Sequence, residues 1–260
     1  MPRVAQLVMT MLLLLIVAGW GRAEEWGNLR GQVVFDGEPP VPKKLKITKD
    51  EEECGRHNLV DESIQVNSTN HGLQNVVVYL YPASDQKVPI HPSYEAEAQA
   101  ERELDNNACR FAPRVVLLRT KQTLVAGNSD PIGHNVMIDT QKNPPINVTI
   151  PSGGSVKKTF EAEERVPAPV ACSIHPWMRG WVLIRENPYM AVTDEKGVFE
   201  IRNLPVGTWE FVFWHERATF LTEVTVNGER QEWRRGRTEL TIQSGDMDLG
   251  VIKVAAERFK

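Results

Sequence analysis

The chain has 260 residues, 30 Lys and Arg against 34 Asp and Glu, a formal charge of −4, and 41% hydrophobic residues. That apolar content supports a packed core and excludes a disordered chain, while the mild acidity argues against a nucleic-acid partner. Three cysteines is an odd number, which in an exported chain points to a ligating or reactive thiol.

Residues 1–23 read as a targeting segment. Arg3 gives a positive start, Leu7 to Gly19 is apolar apart from Thr10, and Gly21-Arg22-Ala23 offers small residues for cleavage before Glu24. The apolar run is short of the ~20 residues a spanning helix needs, although an uncleaved anchor stays open. The rest of the chain is then expected in a periplasmic or extracellular space, with no membrane span after cleavage.

From Leu29 the texture is β. GQVVFDGEPPVP alternates and then turns at Asp36-Gly37 and Pro39-Pro40, and Asn75 to Tyr81 reads as a buried strand. Tyr94 to Leu104 is rich in Glu and Ala with almost no apolar stripe, so it is expected to be a solvated helical turn or linker. Farther along, AVTDEKGVFEIRNLPVGTWEFVFWHE places Gly197 and Gly207 in turns, with Phe199, Ile201, Trp209 and Phe211 alternating inward. His215 ends that run and is taken as structural. Arg230, Arg234, Arg235 and Arg237 around Trp233 read as a solvated loop ahead of a docking patch. His57, His71 and His91 fall in polar loops without partner spacing. Asn67-Ser68-Thr69 and Asn147-Val148-Thr149 are glycosylation sequons, relevant only in a eukaryotic source. No phosphate-binding Gly loop, catalytic triad order or acid–base pair stands out, and no catalytic residue is assigned.

The chemistry concentrates in Cys172-Ser173-Ile174-His175-Pro176-Trp177-Met178. A thiolate, an imidazole and a thioether recur there at intervals of three residues, and a Cys/His/His set with a weak axial Met is the blue-copper pattern. Asn128 to Val136 supplies the second imidazole, which gives His134, Cys172, His175 and Met178 as ligands of one copper. A disulfide half beside an unrelated His is the bland reading of such a short motif.

CSIHPWMRGWVLI resembles the ligand loop of amicyanin-type cupredoxins, with Trp177 where that family has Phe, and GHNVMI resembles its upstream His segment. FAPRVVLLRTKQTLVAGNSD is similar to the opening strands of cupredoxins generally, departing at Lys121, where the family turns on Gly; Met137 stands where amicyanins have His. The resemblance covers about a third of the chain. It implies a cupredoxin Greek-key sandwich, a role for Asn135 in tying the two ligand segments together, and a redox partner such as a c-type cytochrome. The AVTDEKG stretch resembles the second half of carboxypeptidase regulatory-like (transthyretin-like) sandwiches, and GQVVFDGEPPVP with NVVVYLY resembles the first half. The whole is therefore expected to be all-β: a regulatory-like sandwich in two parts, 24–104 and 188–260, with a cupredoxin domain at 105–187 inserted, three consecutive β units being the alternative.

If Cys172 binds metal, Cys54 and Cys109 are left to pair in an oxidising compartment, two buried free thiols being the alternative. By analogy with this ligand arrangement, the ring edge of His175 is expected near the surface, flanked by Pro176 and Trp177 as an apolar patch for a partner. The function expected is single-electron transfer without catalysis. Copper storage or delivery, and a structural or adhesive sandwich protein, are the rivals.

Overall fold

The computed structural model describes residues 25–260; the expected targeting segment lies outside them. The strands come in three blocks. The first holds β1 (Trp26–Asp36) and β2 (Val77–Leu80), separated by a long loop carrying the short helix α1 (Glu51–Cys54). The middle block holds β3 (Glu101–Asn107), β4 (Arg110–Ala112), β5 (Val115–Arg119), β6 (Thr123–Asn128), β7 (His134–Ile138), β8 (Ile146–Ile150), β9 (Ser155–Thr159), β10 (Ala168–Ala171) and β11 (Arg179–Arg185). The last holds β12 (Met190–Val192), β13 (Val198–Pro205), β14 (Gly207–His215), β15 (Thr219–Phe220), β16 (Glu223–Val226), β17 (Glu229–Glu232), β18 (Arg237–Ile242) and β19 (Gly245–Ala255).

First and last blocks share their sheets. β1 lies between β13 and β19 in a sheet of order β13-β1-β19-β16-β17, and β2 lies between β12 and β14 in a second sheet that β15 and β18 complete. The middle block pairs only with itself, as β5-β11-β10-β7-β8 and β4-β3-β6-β9. The fold is thus all-β, two sandwiches, each closed by strands from its own sequence blocks.

The four sheets stack as layers. Leu29 and Val33 of β1, Val78 and Leu80 of β2, Phe199 and Ile201 of β13, and Phe211 and Phe213 of β14 fill the first sandwich. Val116, Leu118, Val136, Ile138, Val182 and Ile184 pack on Leu104 and Leu124 to fill the second. Between the sandwiches the alternate residues of the same strands meet: Val77 and Tyr79 of β2 and Val212 and Trp214 of β14 against Val115 of β5 and Leu183 of β11. Strands apolar on both faces must be buried on both, which is why NVVVYLY, WVLI and FVFW are unbroken apolar runs. The seam is further fixed by Trp181 against Trp214, ring centroids 4.7 Å apart. Arg185 is fully buried there, donating to the carbonyls of Glu164 and Leu80 beneath the rings of Tyr79 and Tyr81. Arg114 adds a two-pronged bond to Glu216 at 2.6 and 2.8 Å.

Two expectations need correction. The Tyr94–Leu104 stretch is a solvated helical turn only in its first part: a 3-10 turn at Pro92–Tyr94 and further i→i+3 turns run to Ala100, and the chain then enters β3 at Glu101, so the boundary expected at residue 105 falls inside a strand. Leu104 and Asn106 are buried while Glu101, Glu103 and Asn107 face solvent, and a polar outer face hid the strand period. Trp233 is not part of a solvated basic knot but a core residue, 4.7 Å from Phe213, and Arg230 and Arg237 pair with Glu223 and Glu210. The inward set Phe199, Ile201, Trp209 and Phe211 is buried as expected. Gly197 stands at φ 75, where an added Cβ would lie 2.1 Å from the Val33 carbonyl oxygen. Lys121 turns at φ 70, a left-handed conformation that favours Gly.

Candidate metal centre

Sheet order creates the site. β10 lies between β7 and β11, so the start of β7, the end of β10 and the start of β11 meet at one end of the second sandwich. His134 opens β7, Cys172 follows β10 directly, and Met178 immediately precedes β11. The turn between them is closed by Met178 N–H donating to the His175 carbonyl at 2.9 Å.

His134, Cys172 and His175 each present a ligand atom within 4.8 Å of the others, and all three are buried. The imidazole rings lie 4.6 Å apart, and Cys172 Sγ is 3.7 Å from His175 Nδ1. Met178, 1% exposed, packs in the same core cluster as Cys172. The backbone N–H groups of Asn135 and His175 donate to Cys172 Sγ at 3.3 and 3.4 Å. Burial alone would push the Cys172 thiol up, but the facing imidazoles of His134 and His175 and these backbone groups bring it down to about 5. Burial also opposes a charged His175, yet its bonds to Cys172 and Asp50 raise it above the ordinary imidazole range.

Asn135 bridges the segment of His134 to that of Cys172. Its Oδ1 accepts from Ser173 N–H at 3.2 Å, and its Nδ2 donates to Asn147 Oδ1 and the Val148 carbonyl, both at 2.9 Å. Each histidine is also held from behind by a carboxylate that sequence reasoning did not assign. Asp130 Oδ2 is 2.8 Å from His134 Nε2, and Asp50 Oδ2 is 2.8 Å from His175 Nε2. A carboxylate only accepts, so Nε2 carries a proton toward it, and Nδ1 is the nitrogen turned to the pocket. At His134 that Nδ1 is buried and has no hydrogen-bond partner. An orphaned imidazole nitrogen beside a thiolate-forming cysteine and a second inward imidazole suits a soft or borderline metal ion.

The expectation for the surface of the site is overturned. His175 is 0% exposed, not edge-on to solvent, because residues 45–59 fold over it and Asp50 caps its ring. Trp177 is half-buried, donating Nε1–H to the Cys109 carbonyl at 3.2 Å and packing beside Cys54, Leu59 and Cys109; of the expected apolar patch only Pro176 is exposed. Cys54 and Cys109 are disulfide-bonded and buried, and Cys172 is the free cysteine. Asp130 stands in the Asn-x-Asp run before His134, four residues from its partner. Asp50 is 125 residues from His175, and no local signal marks it.

No helix of the described residues is long and apolar enough to cross a membrane. No family model and no curated protein matches the sequence. Among solved structures, the Cu-containing nitrite reductase (NirK) from Thermus scotoductus SA-01 aligns at 19% identity and TM-score 0.31, over 41% of this chain and 25% of its own. The chain thus spans a quarter of that enzyme. The novel purple cupredoxin from Nitrosopumilus maritimus aligns at 23% identity and TM-score 0.27, over 33% of this chain and 99% of its own. A reduced Cu(I) form of an amicyanin mutant aligns at 14% identity and TM-score 0.30, over 43% of this chain and 99% of its own.

Proposed function

We propose that this chain is a type 1 copper protein that carries single electrons in an extracytoplasmic space, with one copper held by His134, Cys172, His175 and Met178. The observation that supports it most is the buried trio of donors within 4.8 Å, with the Nδ1 of His134 left unpartnered. A copper held by these residues would have one thiolate, two imidazoles and a thioether, donors that suit both Cu(I) and Cu(II), and would supply one-electron chemistry. The protein residues prepare the site: Asn135 ties the loops, the two backbone N–H groups soften the thiolate, and Asp130 and Asp50 fix the ring planes.

Four protein donors leave no position for a substrate, which favours transfer over catalysis. Storage or delivery would need ready release, and a fully buried site under a disulfide-tied loop disfavours that reading. The disulfide itself suits an oxidising compartment, and the partner is another one-electron protein such as a c-type cytochrome. The middle block, from about Glu101 to Arg185, is read as a cupredoxin domain inserted in a regulatory-like sandwich. Adding Cu(II) to the metal-free protein should give an intense blue colour at one equivalent, bleached by ascorbate and restored by an oxidant. Met178→Gln should keep the colour and lower the potential. A colourless complex, or one that reduction strips of its metal, would overturn the reading.

A further inference from the structure

Asp50 breaks two local rules. It precedes α1 at the N-cap, where an Asp side chain ordinarily accepts a backbone N–H, yet it makes no side-chain cap bond. Its backbone is left-handed, φ 46 and ψ 45, a conformation costly for a residue with a Cβ. Its carboxylate is spent on the imidazole of His175 instead, at 2.8 Å.

The segment around it is a compact flap. Leu45 N–H donates to the Leu59 carbonyl at 3.0 Å, Asp61 N–H to the Lys43 carbonyl at 2.8 Å, and Cys54 N–H to the Asp50 carbonyl at 2.8 Å. Leu45, Ile47 and Leu59 pack on the disulfide together with Trp177. On the far side of that disulfide, the backbone N–H of Cys109 donates to Asp130 Oδ2 at 2.8 Å, the same oxygen that holds His134. One covalent bridge therefore joins the support of one histidine to that of the other.

We propose that residues 45–59 are a lid on the metal pocket, with Asp50 as the positioning residue that latches it to His175 and the Cys54–Cys109 bridge as its tether. Metal ions and thiol-directed reagents reach Cys172 when the lid lifts. Release of the latch frees the ring of His175, and loss of the tether lets the whole flap swing away. The purpose of such a lid rests on the metal reading, but its existence does not.

The test uses metal-free full chain, whose one free thiol among the described residues is Cys172. An aromatic disulfide reagent reports access: the Cys172 thiolate attacks one sulfur, a mixed disulfide forms, and one aryl thiolate leaves and is counted by its colour. Asp50→Gly, which also suits the left-handed backbone, should speed labelling about tenfold, because loss of one charge-assisted hydrogen bond shifts the opening equilibrium by that order. Asp50→Asn keeps an acceptor and should restore most of the protection. Cys54→Ser with Cys109→Ser should label faster still, and Glu52→Gln, on the exposed side of α1, should label like the unmodified chain. Folded Asp50→Gly and double-serine proteins that label no faster than the unmodified chain would overturn the lid. Hydrogen exchange on the unmodified protein decides the matter independently of any variant. The amide of His175, which lies beneath the lid and donates to Cys172 Sγ, should exchange well before those of β7; exchange only on global unfolding would overturn separate lifting. Because no copper is added, a chain that fails to turn blue leaves this test intact, and a blue chain with an unresponsive thiol counts against the lid alone.

Discussion

The two histidines of the site are supported in the same way from very different places. Each Nε2 meets a carboxylate oxygen at 2.8 Å. Asp130 is four residues from His134, 6% exposed at its side chain, and also accepts the N–H groups of Ala108 and Cys109 at 2.6 and 2.8 Å. Asp50 arrives from 125 residues away on a surface flap and is 43% exposed at its side chain. One support is part of the fold, and the other is laid over it. A buried carboxylate that satisfies three donors cannot be withdrawn without stranding them, whereas a solvated one can swing off and be rehydrated.

Removing the first support should therefore have the larger effect. Asp130→Ala leaves the His134 imidazole and two backbone N–H groups without their acceptor, a loss of about 3–5 kcal/mol of unfolding free energy by denaturant titration. Copper affinity should fall on the order of 10–100-fold in the fraction that folds. A loss near zero would mean that water replaces the carboxylate freely.

A third buried histidine shows what an imidazole does with no carboxylate behind it. His215 ends β14 at 1% exposure, accepts the Arg217 N–H at Nδ1 and lies against Phe259. Burial, with the positive charges of Arg114 and Arg217, drives it down to about 3, against one backbone hydrogen bond with Gln74. The unfolded chain binds this proton from about pH 6.5 downward while the folded chain refuses it until about 3, so stability is complete above that window and lost as pH falls through it. At pH 5 the loss is about 2 kcal/mol. His215→Gln should flatten this part of the stability–pH curve, and an unchanged slope would contradict it.

The smallest effect belongs to the lid latch. Asp50→Asn should change unfolding free energy by under about 1 kcal/mol, since the carboxylate is nearly half solvated. If it cost as much as Asp130→Ala, the two supports would be alike and the flap an ordinary part of the fold.

The same contrast governs what the sequence could tell. The Cys172–His175 pair was legible because the two side chains are three residues apart and need only a tight turn to converge. Asn135 was legible through its place beside His134. Asp130 sat in view in the Asn-x-Asp run, but nothing there said which group it would face. Asp50 followed by three glutamates reads as a solvated, acidic helix start, and only the tertiary fold turns its carboxylate inward. The edge of His175, expected in solvent by analogy with the cupredoxin ligand arrangement, is closed by that carboxylate instead. The docking of the sandwiches was hidden in the same way: an unbroken apolar run such as NVVVYLY announces burial on both faces without naming the second partner. Lys121 at φ 70 shows the reverse, a turn that the residue type does not announce.

The most direct measurement is the visible absorption of the Cu(II)-loaded protein with and without the Cys172 sulfur. The unmodified chain should show an intense blue thiolate-to-copper band that saturates at one equivalent, and Cys172→Ser should bind with no such band. Undiminished blue colour in Cys172→Ser would place copper elsewhere in the molecule and contradict the assignment.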